Sequence, residues 1–289
     1  MSSPFSTLGF LGSWLQKLRA QGDITVTIDA VRLTGSAAVH RKYLRDVLRR
    51  RNEAFQLQLF KAALQPGMVV ADVGAYLGHY TLLAARQVGA QGRVYAFEPD
   101  PRGYSYLRRN VEQNGFGDRV VAVNKAVTDR VGATAFYVDA LDSRGSSAVY
   151  RRLWSRKIEV ESLSLDAFFA AGPAPDIIKL DVEGGEVRVL EGMVQTIKAG
   201  RPGLILFAEH YPQGLHGAGT SGEQLLEHLR ALGFDVWRIN ERSRQLDPVG
   251  ARIGLPWRGQ SVLRSPVRVG APGNPGNPPR FLLDLVGFE

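Results

Sequence analysis

Several short stretches of this 289-residue chain carry residue types at spacings that could do chemistry. "VVADVGAYLGHYTLLAA" (69–85) passes from an apolar run through Asp72, Gly74 and Gly78 into a helical rhythm. Glu98 follows twenty-six residues after Asp72, in "FEPDP". "KLDVEGGE" (179–186) carries Asp181 and Glu183, and "LILFAEH" (204–210) ends in Glu209 and His210. Glycine at a strand end permits positive φ and lets a ligand approach the backbone closely. A carboxylate at the end of the next strand can accept both hydroxyls of a ribose. Together these features lead us to expect a nucleoside site at the carboxyl ends of the strands of a sheet.

The dinucleotide fingerprint G-x-G-x-x-G would set a pyrophosphate on a helix N-terminus. Here the pattern is D-x-G-x-x-x-G, with Ala75, Tyr76 and Leu77 between the glycines, and no Walker lysine follows. A nucleoside without a pyrophosphate fits better, and S-adenosylmethionine (SAM) meets that description with its sulfonium and amino-acid tail. Methyl transfer from a sulfonium is an in-line displacement governed by alignment. If the acceptor is a hydroxyl, a base must take its proton, and His210, Asp181 and Glu209 are the candidates. Asp181, Glu183 and Glu209 on adjacent strand ends would also suit Mg²⁺. The reading preferred here assigns them to the methionine ammonium and the loop backbone, with no metal. Substituting Gly74 by a larger residue is expected to obstruct the ligand while the fold survives.

These residues need a scaffold, and the hydrophobic rhythm supplies one. From Met68 the pattern alternates strand and helix: strands at 68–74, 93–99, 119–127, 176–182, 204–210 and 234–240, and helices at 79–88, 102–113, about 185–198 and near 221–232. Continuous apolar strand runs mark a sheet covered on both faces, hence an α/β, doubly wound, mostly parallel sheet. In such sheets ligands bind at the carboxyl ends of the strands, where the strand order reverses. Strand-like pieces at 133–139 and 158–165 interrupt the rhythm. Residues 53–248 read as the main domain and 1–52 as an N-terminal, largely helical extension. The extension holds an amphipathic helix at 5–18, a hairpin at 23–35 that stands apart, and a basic helix at 41–51. Residues 249–289 hold a Pro/Gly-rich linker (270–279) and a possible last edge strand at 280–288.

The segments "VVADVGAYLGHYTLLAA", "GRVYAFEPDP", "LRRNVEQNG", "IIKLDVEGGEVRVLEG" and "LILFAEH" resemble the FkbM family of SAM-dependent methyltransferases over roughly residues 53–240. The resemblance implies a class I, Rossmann-like methyltransferase fold and O-methylation of a sugar, glycolipid or natural-product hydroxyl. It implies that Asp72, Gly74, Tyr76, Gly78, His79 and Tyr80 line the methionine side of the cofactor, and that Glu98 and Pro99 meet the ribose. Asn124 and Ala126 would flank the adenine, while Asp181 and Glu183 close the site. Two positions depart from the family, which usually has Asn where Tyr76 stands and Ala where Gly185 stands. A bulky phenol at Tyr76 would then face the cofactor's amino-acid tail.

Composition narrows the alternatives. Hydrophobic residues at 44% and charged residues at 22% are ordinary for a globular protein. The absence of cysteine excludes disulfides, zinc-thiolate sites and cysteine nucleophiles. With no apolar run of membrane-span length and no basic leader, the chain reads as cytoplasmic. The net charge of +8 is concentrated in "RKYLRDVLRRR" (41–51) and "RRLWSRK" (151–157), read here as solvated faces. A peripheral membrane contact through the N-terminal helix is the alternative use of 5–18. The partner expected is a small-molecule or glycan acceptor. A nucleic-acid methyltransferase is the competing enzyme class, but Asp181-Val182-Glu183-Gly184 stands where a base-reading Asn-Pro-Pro-Tyr motif would follow the fourth strand. A non-catalytic SAM-binding module is the remaining alternative.

Overall fold

A computed structural model describes residues 22–49, 53–139, 155–200, 203–249 and 280–285. The helix expected at 5–18 and the linker at 270–279 lie outside the described residues. Asp23–Ile28 (β1) and Val31–Ser36 (β2) form an antiparallel hairpin. Its two-residue turn places Asp29 and Ala30 at φ 48° and 59°, the left-handed pair that matches strand twist. Helix α1 (Arg41–Arg49) turns Leu44 inward and leaves Arg41, Lys42, Arg45 and Arg49 exposed, as a solvated basic face. Helix α2 (Ala54–Ala63) follows, its first turn capped from afar: the Glu241 carboxylate accepts the Phe55 and Gln56 N–H groups at 2.8 and 2.7 Å.

The alternating segment begins with β3 (Val69–Val73), α3 (His79–Val88), β4 (Arg93–Phe97), α4 (Pro101–Gln113) and β5 (Val120–Val123). The run read as one strand at 119–127 is divided. At Asn124 the side chain donates to the carbonyls of Glu98 and Pro99 (2.8 and 3.2 Å), turning the chain out of the sheet. Ala126–Val127 (β6) instead joins β7 (Gly132–Asp139) and β8 (Ser155–Leu163) in a separate three-stranded sheet of order β6-β8-β7. After α5 (Leu165–Phe169) comes β9 (Ile177–Leu180). The helix expected at 185–198 is broken into α6 (Glu186–Glu191) and α7 (Val194–Ala199). Gly192 at the break packs so closely on the loop after β6 that a Cβ there would lie 2.2 Å from the Thr128 carbonyl oxygen.

Strand β10 (Ile205–His210) leads to a short helix, α8 (Pro212–Gly217). Helix α9 (Gly222–Ala231), β11 (Asp235–Asn240) and β12 (Gln245–Pro248) follow, and Arg280–Leu285 forms β13. The eight-stranded sheet has the order β12-β11-β13-β10-β9-β3-β4-β5, parallel except for β12. The strand at 280–285 is therefore no edge strand: it sits between β10 and β11. Strand order reverses between β3 and β9, with β4 and β5 following outward on one side and β10 on the other. One buried cluster joins Phe60, Leu82, Val70, Val94 and Phe207 on one face; the other joins Ile178, Leu206, Leu225 and Leu229.

The hairpin, expected to stand apart, is bound into this body. Buried Asn110 of α4 accepts the Thr34 N–H at 2.8 Å and donates to the carbonyls of Thr34 and Leu77 at 3.0 and 2.8 Å. One amide thus ties β2 to α4 and to the glycine turn. Replacing it by Ala strands three buried backbone groups, each costly to leave unpaired. We expect Asn110→Ala to lower unfolding free energy by roughly 2–4 kcal/mol in urea titration. An unchanged midpoint would show that the hairpin contributes nothing to the body.

Candidate functional site

The turn after β3 is shaped by the chain itself. Gly74 has φ +82°, and a Cβ there would lie 1.7 Å from the Asp181 carbonyl oxygen. A Cβ on Gly78, at φ +91°, would meet Leu107 at 2.6 Å. The expectation that a ligand is what excludes side chains here is corrected: backbone from β9 and a core leucine fill that space first. This crossing brings the ends of β3 and β9 into contact and sets the floor of the crevice. Between the glycines Tyr76 is itself left-handed (φ 53°), and its N–H donates to Glu98 Oε2 at 2.7 Å. Its ring packs edge-on against Tyr43 and His40, with centroids 5.0 and 5.5 Å apart. The phenol therefore turns toward the N-terminal extension. Gly185, with φ −85°, has a conformation that Ala would adopt equally well.

Glu98 is buried at the end of β4. Its other oxygen accepts the Asp100 N–H at 2.8 Å, and Gly103 leaves room for the carboxyl, a Cβ there lying 3.2 Å away. Burial pushes this carboxyl up to about 8 despite the two N–H donors. Asp72 is 1% exposed; Thr81 Oγ1 donates to its Oδ2 at 2.5 Å, while Oδ1 is buried with no donor. Burial raises Asp72 too, opposed by Lys179. Asn124 holds the crevice rim through its two carbonyl contacts, and Ala126 is buried behind it.

Across the crevice, Lys179 is 4% exposed, its ammonium 2.8 Å from Asp181 Oδ2 and 4.5 Å from the centre of the Tyr80 ring. Burial opposes its charge, but Asp181, Asp72 and Glu53 outweigh burial and keep it protonated. Burial would raise Asp181, yet Lys179 holds it below the usual carboxylate range. Glu209 shares this cleft with Asp181, and burial and the Asp181 charge push it well up. Glu183 sits at φ 54° with a carboxylate oxygen within 4.8 Å of oxygens of Asp181 and Glu209. Neighbouring Glu186 is fully buried, accepts the Gly184 N–H at 3.1 Å and is raised by burial to about 7.

The structure does not bring His210 to Asp181. Side chains alternate along β10, so Phe207 and Glu209 face α2 and α3, while Leu206, Ala208 and His210 face α9. His210 is buried beneath Gly222, where a Cβ would lie 2.3 Å from its Nε2, and burial lowers its affinity for a proton. His79 is buried in the first turn of α3, its ring 5.8 Å from that of Tyr80. Sequence reasoning missed Glu53 and Gln56. Tyr80 donates to Glu53 Oε2 at 2.8 Å and accepts from Gln56 Nε2 at 3.1 Å, so both belong to the cleft. Their signal was faint: one acidic residue just ahead of an amphipathic helix.

Comparison with known proteins decides the family. The profile described as the methyltransferase FkbM domain matches residues 72–236. The chain belongs to the FkbM methyltransferase domain family. The chain carries that family's methyltransferase domain, and its mostly parallel sheet is the class I, Rossmann-like fold for which SAM is the cofactor. It is 25% identical over 151 residues to the hexuronic acid methyltransferase AglP of Haloferax volcanii, covering 52% of this chain and 59% of that protein. It is 29% identical over 151 residues to a probable cobalt-precorrin-6B C(15)-methyltransferase of Pyrobaculum calidifontis, covering 48% and 75%. An O-methyltransferase structure from Bacillus cereus with S-adenosylhomocysteine (SAH) aligns with TM-score 0.36 and 18% identity, covering 63% of this chain and 66% of that one. The FkbM match begins at Asp72, so Glu53, Gln56 and the hairpin lie ahead of it.

Two outcomes follow from this geometry. Gly74→Ala must displace the Asp181 backbone and adopt a strained φ, so we expect a loss of about 3 kcal/mol or more of stability. Wild-type stability in this variant would mean the β3–β9 crossing is loose. Glu98 and Glu186, ordinarily near 4.5, bind protons up to about 8 and 7 in the folded chain. Their stabilisation is complete below pH 4.5 and is lost as pH rises through 7 to 8. The ligand-free protein should melt at a lower temperature at pH 8.5 than at pH 6, and Glu98→Gln should shrink that difference. A pH-independent melting temperature would contradict it.

Proposed function

We propose that the chain transfers the methyl group of SAM to a hydroxyl of a small sugar, glycolipid or natural-product acceptor. Asp72, with a buried oxygen lacking a donor, suits the methionine ammonium. Glu98, whose carboxyl closes the end of β4, suits the ribose hydroxyls; Asn124 and Ala126 would border the adenine. Bound SAM supplies an electrophilic methyl group. The chain's own part is to bind, align and take a proton.

The observation that carries the reading is the carboxylate of Asp181, kept ionised by Lys179 and facing the same cleft as Glu209. An ionised carboxylate at the mouth of the crevice can accept a hydroxyl proton as the oxygen–methyl bond forms. Glu209 would orient the hydroxyl, and His210, on the far face, would position the start of α9. The similarity to a hexuronic acid methyltransferase supports a sugar acceptor. The acceptor is expected to be small-molecule or glycan in nature.

The test is turnover with methyl-labelled SAM on a panel of hexuronic acids and glycosides, with the product's linkage read by NMR. An O-methyl ether is expected. Asp181→Asn should lower kcat by about 10²- to 10⁴-fold, and His210→Ala by less than about tenfold. N- or C-linked methyl in the product would overturn the hydroxyl reading. A larger loss in His210→Ala than in Asp181→Asn would reassign the base.

A further inference from the structure

The cleft between the first turn of α2 and the ends of β9 and β10 holds more buried acceptors than donors. It is lined by Glu53, Gln56, Lys179, Asp181 and Glu209. One oxygen each from Asp181, Glu183 and Glu209 can be chosen so that all lie within 4.8 Å of one another. Lys179 is the one cation lining the cleft among the described residues, and it is paired with Asp181 Oδ2. Four carboxyls therefore share a single ammonium.

A separate observation points to an absent positive centre. Gln56 is 5% exposed and lines the same cleft; its Nε2 is used on Tyr80, while its Oε1 is buried with no donor. Glu209 Oε2 is likewise buried without a donor. A carboxyl can relieve such burial by taking a proton, but an amide oxygen cannot. It needs a donor or a cation. The groups offered are oxygens only, the set preferred by hard divalent ions.

We propose that this cleft is a binding site for a calcium-sized divalent cation, held by Asp181, Glu183 and Glu209 with Gln56 Oε1 as a further oxygen ligand. Ca²⁺ takes six to eight oxygen ligands at about 2.3–2.6 Å in flexible geometry, which suits carboxylates and an amide oxygen gathered from separate elements. Mg²⁺, which demands near-octahedral geometry at about 2.0–2.1 Å and dehydrates reluctantly, is less suited to a cage made of protein oxygens. Lys179 stays on Asp181 Oδ2 and offsets the remaining negative charge. The site goes beyond the methyl-transfer reading and does not depend on it.

The experiment is Ca²⁺ titration calorimetry on the full, chelator-treated chain, with the unfolding temperature measured in chelator as a control for folding. One saturable site per chain is expected, with a matching rise in unfolding temperature. Glu209→Gln, which keeps size and removes charge, should weaken Ca²⁺ at least about tenfold, and Gln56→Leu should do the same. Absence of saturable binding up to about 10 mM Ca²⁺ overturns the proposal. So does wild-type Ca²⁺ affinity in a folded Glu209→Gln variant, because the ion would then sit elsewhere.

Discussion

One buried ammonium organises the acidic side of this site. Lys179 projects from the centre of β9 into a pocket where Asp181, Asp72 and Glu53 all favour its charge, and its Nζ rests over the Tyr80 ring. Taking it out of water would be prohibitive without those carboxylates, and they would repel one another without it. The dependence is mutual, and it reaches three separate parts of the chain: the helix ahead of β3, the end of β3 and the end of β9. Asp181 is ionised and aimed because Lys179 fixes it. Glu53 occupies a left-handed backbone (φ 56°) and leaves its own helix uncapped, so that its carboxylate can turn inward to Tyr80. Glu241, a residue remote in sequence, supplies the missing cap.

The second constraint is steric and sits at the same place. The close approach of the Asp181 carbonyl to Gly74 means that the cofactor turn and the acidic strand end are built as one unit. A glycine that sequence reasoning reserves for a ligand is needed by the fold before any ligand arrives. Glu98 then locks the turn from the other side, accepting the N–H of Tyr76 within it. Methyl transfer rewards this rigidity, since an in-line displacement depends on alignment more than on any single acid or base.

Much of this was legible in the sequence. The continuous apolar run from Met68 to Ala71 announces a buried parallel strand, and the order of Asp72, Glu98, Asp181 and Glu209 places four acids at strand ends. What failed has local causes. The strand at 119–127 splits because Asn124 bonds to the Glu98 and Pro99 carbonyls, a tertiary contact that periodicity cannot register. The expected edge strand lies between β10 and β11, since hydrophobicity reports that a strand is covered but not what covers it. His210 and Glu209 look equivalent as neighbours in sequence, yet strand alternation sends them to opposite faces. Tyr76 gave the wrong impression for a similar reason: the partners that draw its ring away, Tyr43 and His40, belong to the extension.

We propose a cofactor that spans the ends of β3 and β4, its amino-acid end on Asp72 and its methyl group toward Asp181. The most direct measurement is a crystal structure of the full chain with SAH. The account predicts the ribose hydroxyls within hydrogen-bond distance of the Glu98 carboxylate and the α-ammonium on Asp72 Oδ1. The turn from Gly74 to Gly78 should be unmoved. A ribose held away from Glu98, or an amino-acid tail directed away from Asp72, would contradict it.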